Sequence, residues 1–399
     1  MIRPMKTPYL PWFLLFSFLT LASCKNDRQG PPAAAESAGE APALPPREED
    51  YEAARFKWGY INPAGELAIA AEFDDGRPFA EGLAAVRVEG RWGYIGKDGR
   101  FAIPLRFQGA WNFSEGRGRV LTYDNKMGFI DRSGNWVAEA RYDDALDFQE
   151  GLARVRVEDK YGFIDTDGNM AIPARYEHAS SFENGYASVK LEGSYGLIGK
   201  DGREALAPVY KKASPFQEGL ARIRKDGLYG FADEQGEVAI PPRFENAQDF
   251  NQGLAPARQD GRYGLIDKSG EFVVPPKYQQ LWYAGESLWG VEQEGRYGFI
   301  DAQGEEAITV QFEQVFSFEN GFAPYRLGRL WGYLDHEGNL LTQPRFGLAW
   351  AFREGLARVA TRTGIGFINT QGELVIPPRD NYLDLRDFSE GLALAQVYR

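Results

Sequence analysis

The chain is poor in the residues that most often carry chemistry. It has one cysteine in 399 residues, so neither an internal disulfide nor a Cys-based zinc site is available. Its two histidines, His178 and His336, fall in unrelated contexts and leave no room for a His-rich metal site. No GxxxxGK phosphate loop occurs, because the glycines fall elsewhere. Basic residues are in deficit: 45 Lys and Arg stand against 57 Asp and Glu, for a net charge of -12. A phosphate backbone selects a basic face, so nucleic acid is not an expected partner. We expect no cofactor, no metal and no catalytic residues. Two things are in excess, with 46 glycines and an aromatic content of 14%. A hydrophobic content of 43% is ordinary for a globular chain.

The first residues read as an address. Arg3 and Lys6 precede an apolar stretch from Tyr9 to Ala22. The stretch falls short of the roughly 20 apolar residues that a membrane span needs and suits the h-region of a secretory signal. It ends in Leu21-Ala22-Ser23-Cys24, which resembles the bacterial lipoprotein lipobox. The resemblance implies cleavage before Cys24 and its lipidation by fatty acyl chains such as palmitate. The alternative is a plain cleaved signal with a chance cysteine, but the only cysteine falls at the one position the motif requires. Lys25, where a retained inner-membrane lipoprotein would carry Asp, implies the outer membrane if the organism is Gram-negative. Residues 25–50 are rich in Pro, Ala and Glu and lack aromatics and β-branched side chains, which reads as a tether too polar to bury a core. The expected organisation is a signal peptide over 1–23, lipidated Cys24 and tether over 24–50, and a folded domain over 51–399. The expected address is the bacterial cell envelope, reached through the lipid on Cys24.

From residue 58 the chain repeats. An apolar residue followed by glycine recurs at Trp58-Gly59, Trp92-Gly93, Met127-Gly128, Tyr161-Gly162, Tyr195-Gly196, Tyr229-Gly230, Tyr263-Gly264, Tyr297-Gly298, Trp331-Gly332 and Ile365-Gly366, a spacing of 34 with a single 35. Such a period marks a repeat architecture. In the fourth unit, YGFID reads as a strand and Asp165-Thr166-Asp167-Gly168 as an Asx-type turn. Met170-Ala171-Ile172 is a second strand, ended in several units by proline. A linker with an aromatic, a small residue and a Phe follows. The period-two alternation of Gly-Leu-Ala-Arg-Val-Arg-Val, at 151–157, gives a third strand.

The Lys57-Trp58-Gly59-Tyr60-Ile61 segment, the recurring D-x-x-G-E, the I-P-P and the F-x-E-G-L-A segments resemble the bacterial WG (KWG) repeat family over residues 56–399. The resemblance implies an all-β repeat array and leaves function open. Each unit is too small to bury its own apolar face, so neighbours must stack. Ten three-stranded units predict an elongated β-solenoid or superhelix. The alternative is a propeller-like toroid, which normally takes four strands per blade. The last strand, ending ALAQVYR, is expected to leave an edge open to strand addition.

One unit breaks the pattern in two places. Ala284 stands in the Phe slot and Trp289 in the small-residue slot five positions on. A large-to-small change beside a small-to-large change predicts that the two slots touch, since a volume-conserving swap costs least. The recurring Glu of F-x-E-G (Glu81, Glu115, Glu150, Glu218, Glu354, Glu390) reads as structural or solvating, because a catalytic pair need occur only once. Asp165 to Asn169 resembles the start of a calcium loop, but the twelfth position is Tyr176 rather than a carboxylate, so a turn is the better reading. The candidate binding residues are aromatics outside the grammar. Trp111 and Trp350 share a linker slot two before the Phe, while Trp136 and Trp282 are irregular. Exposed, they would stack on a sugar or anchor a protein; covered, they are edge packing. The expected function is a lipid-anchored scaffold binding a macromolecule over an extended surface. An envelope protein is the first partner expected and a carbohydrate or peptidoglycan the alternative. An envelope hydrolase or a passive spacer ranks below both.

Overall fold

The computed structural model describes residues 56–398. The expected signal peptide, Cys24, the expected tether, and residues 51–55 and 399 of the expected domain lie outside the described residues. Within 56–398 the regular elements are β-strands, gathered into ten four-stranded antiparallel sheets. They stand as the blades of a closed ring, a ten-blade β-propeller. The elongated solenoid is therefore corrected, and the propeller-like toroid, the alternative, is the architecture.

Blade 3 shows the plan. Its strands are Asp144–Ala145, Leu152–Val157, Lys160–Asp165 and Met170–Tyr176, paired in that order. The first is the strand that the repeat grammar assigned to the linker. It is only two residues long, too short for any period to show. Blades 1 to 9 span residues 75–107, 109–142, 144–176, 178–210, 212–244, 246–278, 280–312, 314–346 and 348–376. Each blade takes its two inner-sequence strands from the end of one repeat and its last two from the start of the next. The phase offset leaves half a blade at either end of the array. Tyr382–Ser389 and Leu392–Tyr398 join Phe56–Ile61 and Leu67–Phe73 as blade 10, with Phe56 opposite Tyr398 and Ile61 opposite Ala393. The final strand is thus paired on both sides rather than left as an edge.

The motif glycine of each repeat is explained by crowding. In blade 3, Tyr161 pairs with Tyr176 but Phe163 pairs with Ile172, so the outer strand carries two extra residues and bulges. At Gly162 a Cβ would lie 2.6 Å from the Ile172 carbonyl oxygen and 2.6 Å from the Ala174 nitrogen. Only glycine lets the two backbones approach this closely. Of the prolines expected to end the second strand, Pro241 and Pro242 lie inside Val238–Phe244 and Pro275 and Pro276 inside Phe272–Tyr278, while Leu374–Ile376 does end at Pro377. This strand is the outer edge of its blade, where a missing N–H costs no ladder bond.

The turn between the last two strands is built as its sequence predicts. The Asp165 carboxylate accepts from the N–H groups of Asp167 at 3.0 Å and Asn169 at 2.9 Å. Gly168 takes φ +83 and lies against Val137 and Ala138 of the preceding blade. The core sits between blades. One cluster joins Phe129, Ala138 and Tyr142 of blade 2 to Phe148, Ala153 and Val155 of blade 3. Another joins Tyr60, Ile69, Phe73 and Leu394 of blade 10 to Phe79, Val86 and Ile95 of blade 1, closing the ring.

The paired departures in blade 7 are volume exchange. Elsewhere the Phe slot and the small slot face each other across the first hairpin, as Phe113 and Gly118 do. Phe113 packs on Leu83, Tyr94 and Ile103 of blade 1. In blade 7 the indole of Trp289, 1% exposed, packs on the equivalent Leu254, Leu265 and Val274 of blade 6. Ala284, fully buried, leaves that space to the indole: it groups with Val315 and Phe318 of blade 8, and Tyr283 is the residue that faces Trp289 in the strand pairing.

Candidate functional site: the seams between blades

Two neighbouring positions shape the inner part of each seam. One is the residue two before the Phe slot, on the first strand where that strand is long and just after it elsewhere. The other faces it on the second strand, as Leu146 faces Arg154 through a backbone hydrogen bond. An arginine at the second position reaches across to a carbonyl of the next blade. Arg119 donates to Ala145 O at 2.7 Å, Arg154 to Ala179 O at 3.0 Å, Arg222 to Ala247 O at 2.6 Å and Arg358 to Leu385 O at 2.5 Å. Carboxylates complete the clamp, with Arg119 2.7 Å from Asp147 and Arg358 3.1 Å from Asp387. Elsewhere Ser188 Oγ and Gln248 Nε2 reach the same kind of carbonyl, at 2.7 and 2.8 Å.

The candidate tryptophans fall on this frame. Trp111 and Trp350 are half-buried, each with an arginine of its own blade 4.2 Å from the ring centroid, Arg119 and Arg358 respectively. A cation over an indole face is worth about 0.5–2 kcal/mol, so these two rings are partly spent on packing. Trp282 is not irregular: it occupies the same slot, two before Ala284. The loss of the Phe used as a ruler hid it. Its partner position is Gly290, so its indole lies against backbone where other blades place a side chain. The sequence reading also missed Phe316, two before Phe318 in the same slot and 45% exposed. The signal was present as Phe-Ser-Phe. Trp136 is elsewhere, at the start of an outer strand, 40% exposed and edge-on to Phe107 at 6.1 Å.

Trp282, Phe316 and Trp350 therefore come from three consecutive blades, 7 to 9. Between blades 8 and 9 the rings open a cleft of about 500 Å³ lined by Phe316, Pro324, Trp331, Leu348 and Trp350. Pro324 stands where an arginine would bridge the seam. Phe316 and Trp331 stack at 5.1 Å and 8°, giving a flat apolar wall. Tyr333, raised well above the ordinary phenol range by burial, stays neutral and donates to Trp350 O at 2.7 Å, fixing the far wall.

The recurring glutamates are structural, as their repetition suggested. Each occupies a left-handed position in the first hairpin turn, as Glu150 does at φ 56. Its carboxylate accepts the glycine N–H of the next turn: Glu81 from Gly116 at 2.9 Å, Glu115 from Gly151 at 2.8 Å and Glu150 from Gly185 at 2.8 Å. Glu390 accepts from Gly82 at 2.9 Å and closes the circle. Cations of the following blade attend several of them, as with Lys97 at Glu390, Lys200 at Glu150 and Lys268 at Glu218, and the His336 ring lies 3.6 Å from Glu286 in the same way. Where the turn carries Asn184, Gln252 or Asn320 instead, the following blade places Glu234, Ala302 or Thr370 at that position. Charge is matched at most of these seams, while the blades after Glu115 and Glu354 place Thr166 and Pro63 there.

This matching has a pH signature. Burial opposes ionisation of Glu150 and Glu390, but hydrogen bonds from Lys200 and Gly185, and from Lys97 and Gly82, outweigh it and hold both carboxyls below the ordinary value of 4.5. A depressed folded pKa means that the unfolded chain binds the proton first. The stability from these groups is therefore present above about pH 4.5 and is lost as pH falls through the lower folded values. We expect the urea midpoint to drop below pH 4.5, and to drop less steeply in Glu150→Gln. Identical slopes in the two proteins would refute the linkage.

His178 lies between Tyr161 and Tyr195, and burial, Arg154 and Lys190 lower its pKa, leaving it neutral near pH 7.

No curated protein is significantly similar to the chain. Among solved structures it is similar to a computationally designed Ika8 protein, at 10% identity and a TM-score of 0.38 over 72% of this chain and 94% of that one. It is also similar to a eukaryotic initiation factor, at 12% identity and a TM-score of 0.48 over 74% and 95%. A third is BamB from Moraxella catarrhalis, at 11% identity and a TM-score of 0.32 over 86% and 99%. The family model for the WG containing repeat matches ten times, from residues 58–92 through 195–229 to 365–398, without leaving out a blade. With its motif glycines seated at the bulges and its repeats closing on themselves, this chain belongs to the WG containing repeat family.

Proposed function

We propose that this protein is a lipid-anchored, extracytoplasmic scaffold that binds a partner protein of the bacterial envelope without catalysing a reaction. The observation that carries the reading is the aromatic cleft between blades 8 and 9. Phe316, Trp331 and Trp350 line one seam, and Pro324 supplies no side-chain bridge at the position where Arg119, Arg154 or Arg222 reaches across other seams; the seam is held instead at its end by Arg353 on Glu319 at 2.6 Å. A rigid scaffold that presents an aromatic pocket of this size suits a protein anchor residue. The lipobox-like Leu21-Ala22-Ser23-Cys24 supports the lipid anchor, and Lys25 supports the outer membrane as its address if the organism is Gram-negative.

The test is crosslinking in intact cells followed by capture of the protein. One partner should be recovered with the wild type and reduced at least tenfold in Trp350→Ala and Phe316→Ala, both with unchanged thermal midpoints within a few degrees. Cys24→Ala should release the protein from the membrane fraction and reduce capture. Equal recovery in both aromatic variants would refute the cleft as the docking site. The glycan reading is favoured by the flat Phe316–Trp331 wall. It predicts retention on insoluble peptidoglycan that is lost in the same variants.

A further inference from the structure

Blade 5 inverts a charge that five of its siblings keep. In the residue just before the first strand, blades 1, 3, 4, 6 and 8 place Asp74, Asp143, Glu177, Glu245 and Glu313. The positions are equivalent, because each N–H donates to the same second-strand carbonyl, as Glu177 does to Lys190 O at 2.9 Å. Each carboxylate neutralises a nearby cation. Asp74 pairs with Lys57, Asp143 with Lys126 at 2.5 Å, Glu177 with Lys190 at 3.3 Å, Glu245 with Arg258 at 3.6 Å and Glu313 with Arg296 at 3.8 Å. In blade 5 the same N–H, donating to Arg224 O at 2.8 Å, belongs to Lys211.

The next residue worsens the imbalance. Lys212 stands directly opposite Arg224 in the strand pairing, whereas Asp75 faces Arg87 and Asp144 faces Arg156. Like charges directly opposed across a strand pair destabilise it. Blade 4 has His178 opposite Lys190, but that imidazole is kept neutral. Among the described residues neither Lys211 nor Lys212 has an ion-pair partner. The two lysines border a cleft of about 410 Å³ at the seam of blades 4 and 5, with Tyr195, Arg222 and Tyr229 as its other large walls. Ser188 and Ser214 also line it, but their hydroxyls are committed to Ala213 O at 2.7 Å and Asp249 at 2.9 Å.

We infer that this cleft is a receptor for a carboxylate of an acidic peptide segment, which takes the place that Asp74, Asp143 or Glu177 fills within the chain at other blades. The partner supplies the missing negative charge, and the lysines hold it against a background that otherwise repels acids. A peptide is favoured over an acidic sugar because the lining offers cations and phenols but no free amide or carboxylate to accept from a row of sugar hydroxyls. The inference rests on the scaffold reading only in taking the partner to be a protein.

The test uses fluorescein-labelled hexaglutamate and the purified protein, with polygalacturonate as the glycan arm. Hexaglutamate should bind, weaken as salt is raised, and lose at least tenfold in affinity in Lys211→Glu. Lys277→Glu, which changes net charge equally on an outer strand of blade 6, should alter it less than twofold. Because Lys211→Glu restores the carboxylate of the other blades, it should raise the thermal midpoint by about 1–3 °C, separating lost binding from lost folding. Unchanged affinity in Lys211→Glu, or an equal loss in Lys277→Glu, would overturn the site. Tighter, Lys211-dependent binding of polygalacturonate would overturn the peptide assignment. If the site fails while Trp350-dependent capture persists, the scaffold reading stands without it.

Discussion

Trp289→Ala should destabilise the propeller by about 3–5 kcal/mol, the range for emptying a large aromatic from a core. Adding Ala284→Phe should then return about half of that loss. The indole fills the space against Leu254, Leu265 and Val274 that a phenylalanine from the facing strand fills in the other blades. A phenylalanine at 284 beside a small residue at 289 recreates the common arrangement. Alone, Ala284→Phe competes with the indole for one volume and should cost about 1–3 kcal/mol. The four proteins form a double-mutant cycle, read by urea denaturation. A coupling near zero would mean that the two positions do not share space.

A single methyl at Gly162 should be nearly as costly. Its Cβ would meet backbone atoms of the outer strand at 2.6 Å, and backbone cannot step aside as a flexible side chain can. Gly162→Ala should lose more than about 3 kcal/mol, in the class of overpacking with backbone displacement. Gly151→Ala is the contrasting case. That glycine has φ +85 and open space around it, so alanine there bears only the left-handed strain of about 1–2 kcal/mol. Denaturation midpoints of the two variants decide the matter. If the two substitutions cost the same, the crowding account of the motif glycine is wrong.

Much of this was legible because the repeat serves as its own control. The glycines, the turns and the exchange between Ala284 and Trp289 all appear as slots kept or broken at a fixed period. The structural role of the glutamates followed from their recurrence, although the bond that each makes to the next blade did not. What escaped has a common cause. In six blades the first strand, such as Lys212–Ala213, is two residues long, below the length at which alternation shows. Trp282 and Phe316 were hidden because the slot was measured from a Phe that blade 7 lacks and that blade 8 duplicates. Closure stood only as the alternative, because it depends on the small angle between neighbouring blades, which no single repeat displays. One clue was present: the array opens on a Trp-Gly strand and ends on the strand that precedes one, so its two ends are complementary halves.

The strand at Phe56–Ile61, among the first made of the described chain, waits for Leu392–Tyr398, the last. More than three hundred residues must emerge before blade 10 exists. Until then the nascent arc exposes an unfilled sheet margin at both extremities. A prematurely terminated product is therefore an adhesive crescent rather than a smaller circle, and disposal of such fragments is a demand that follows from the topology itself.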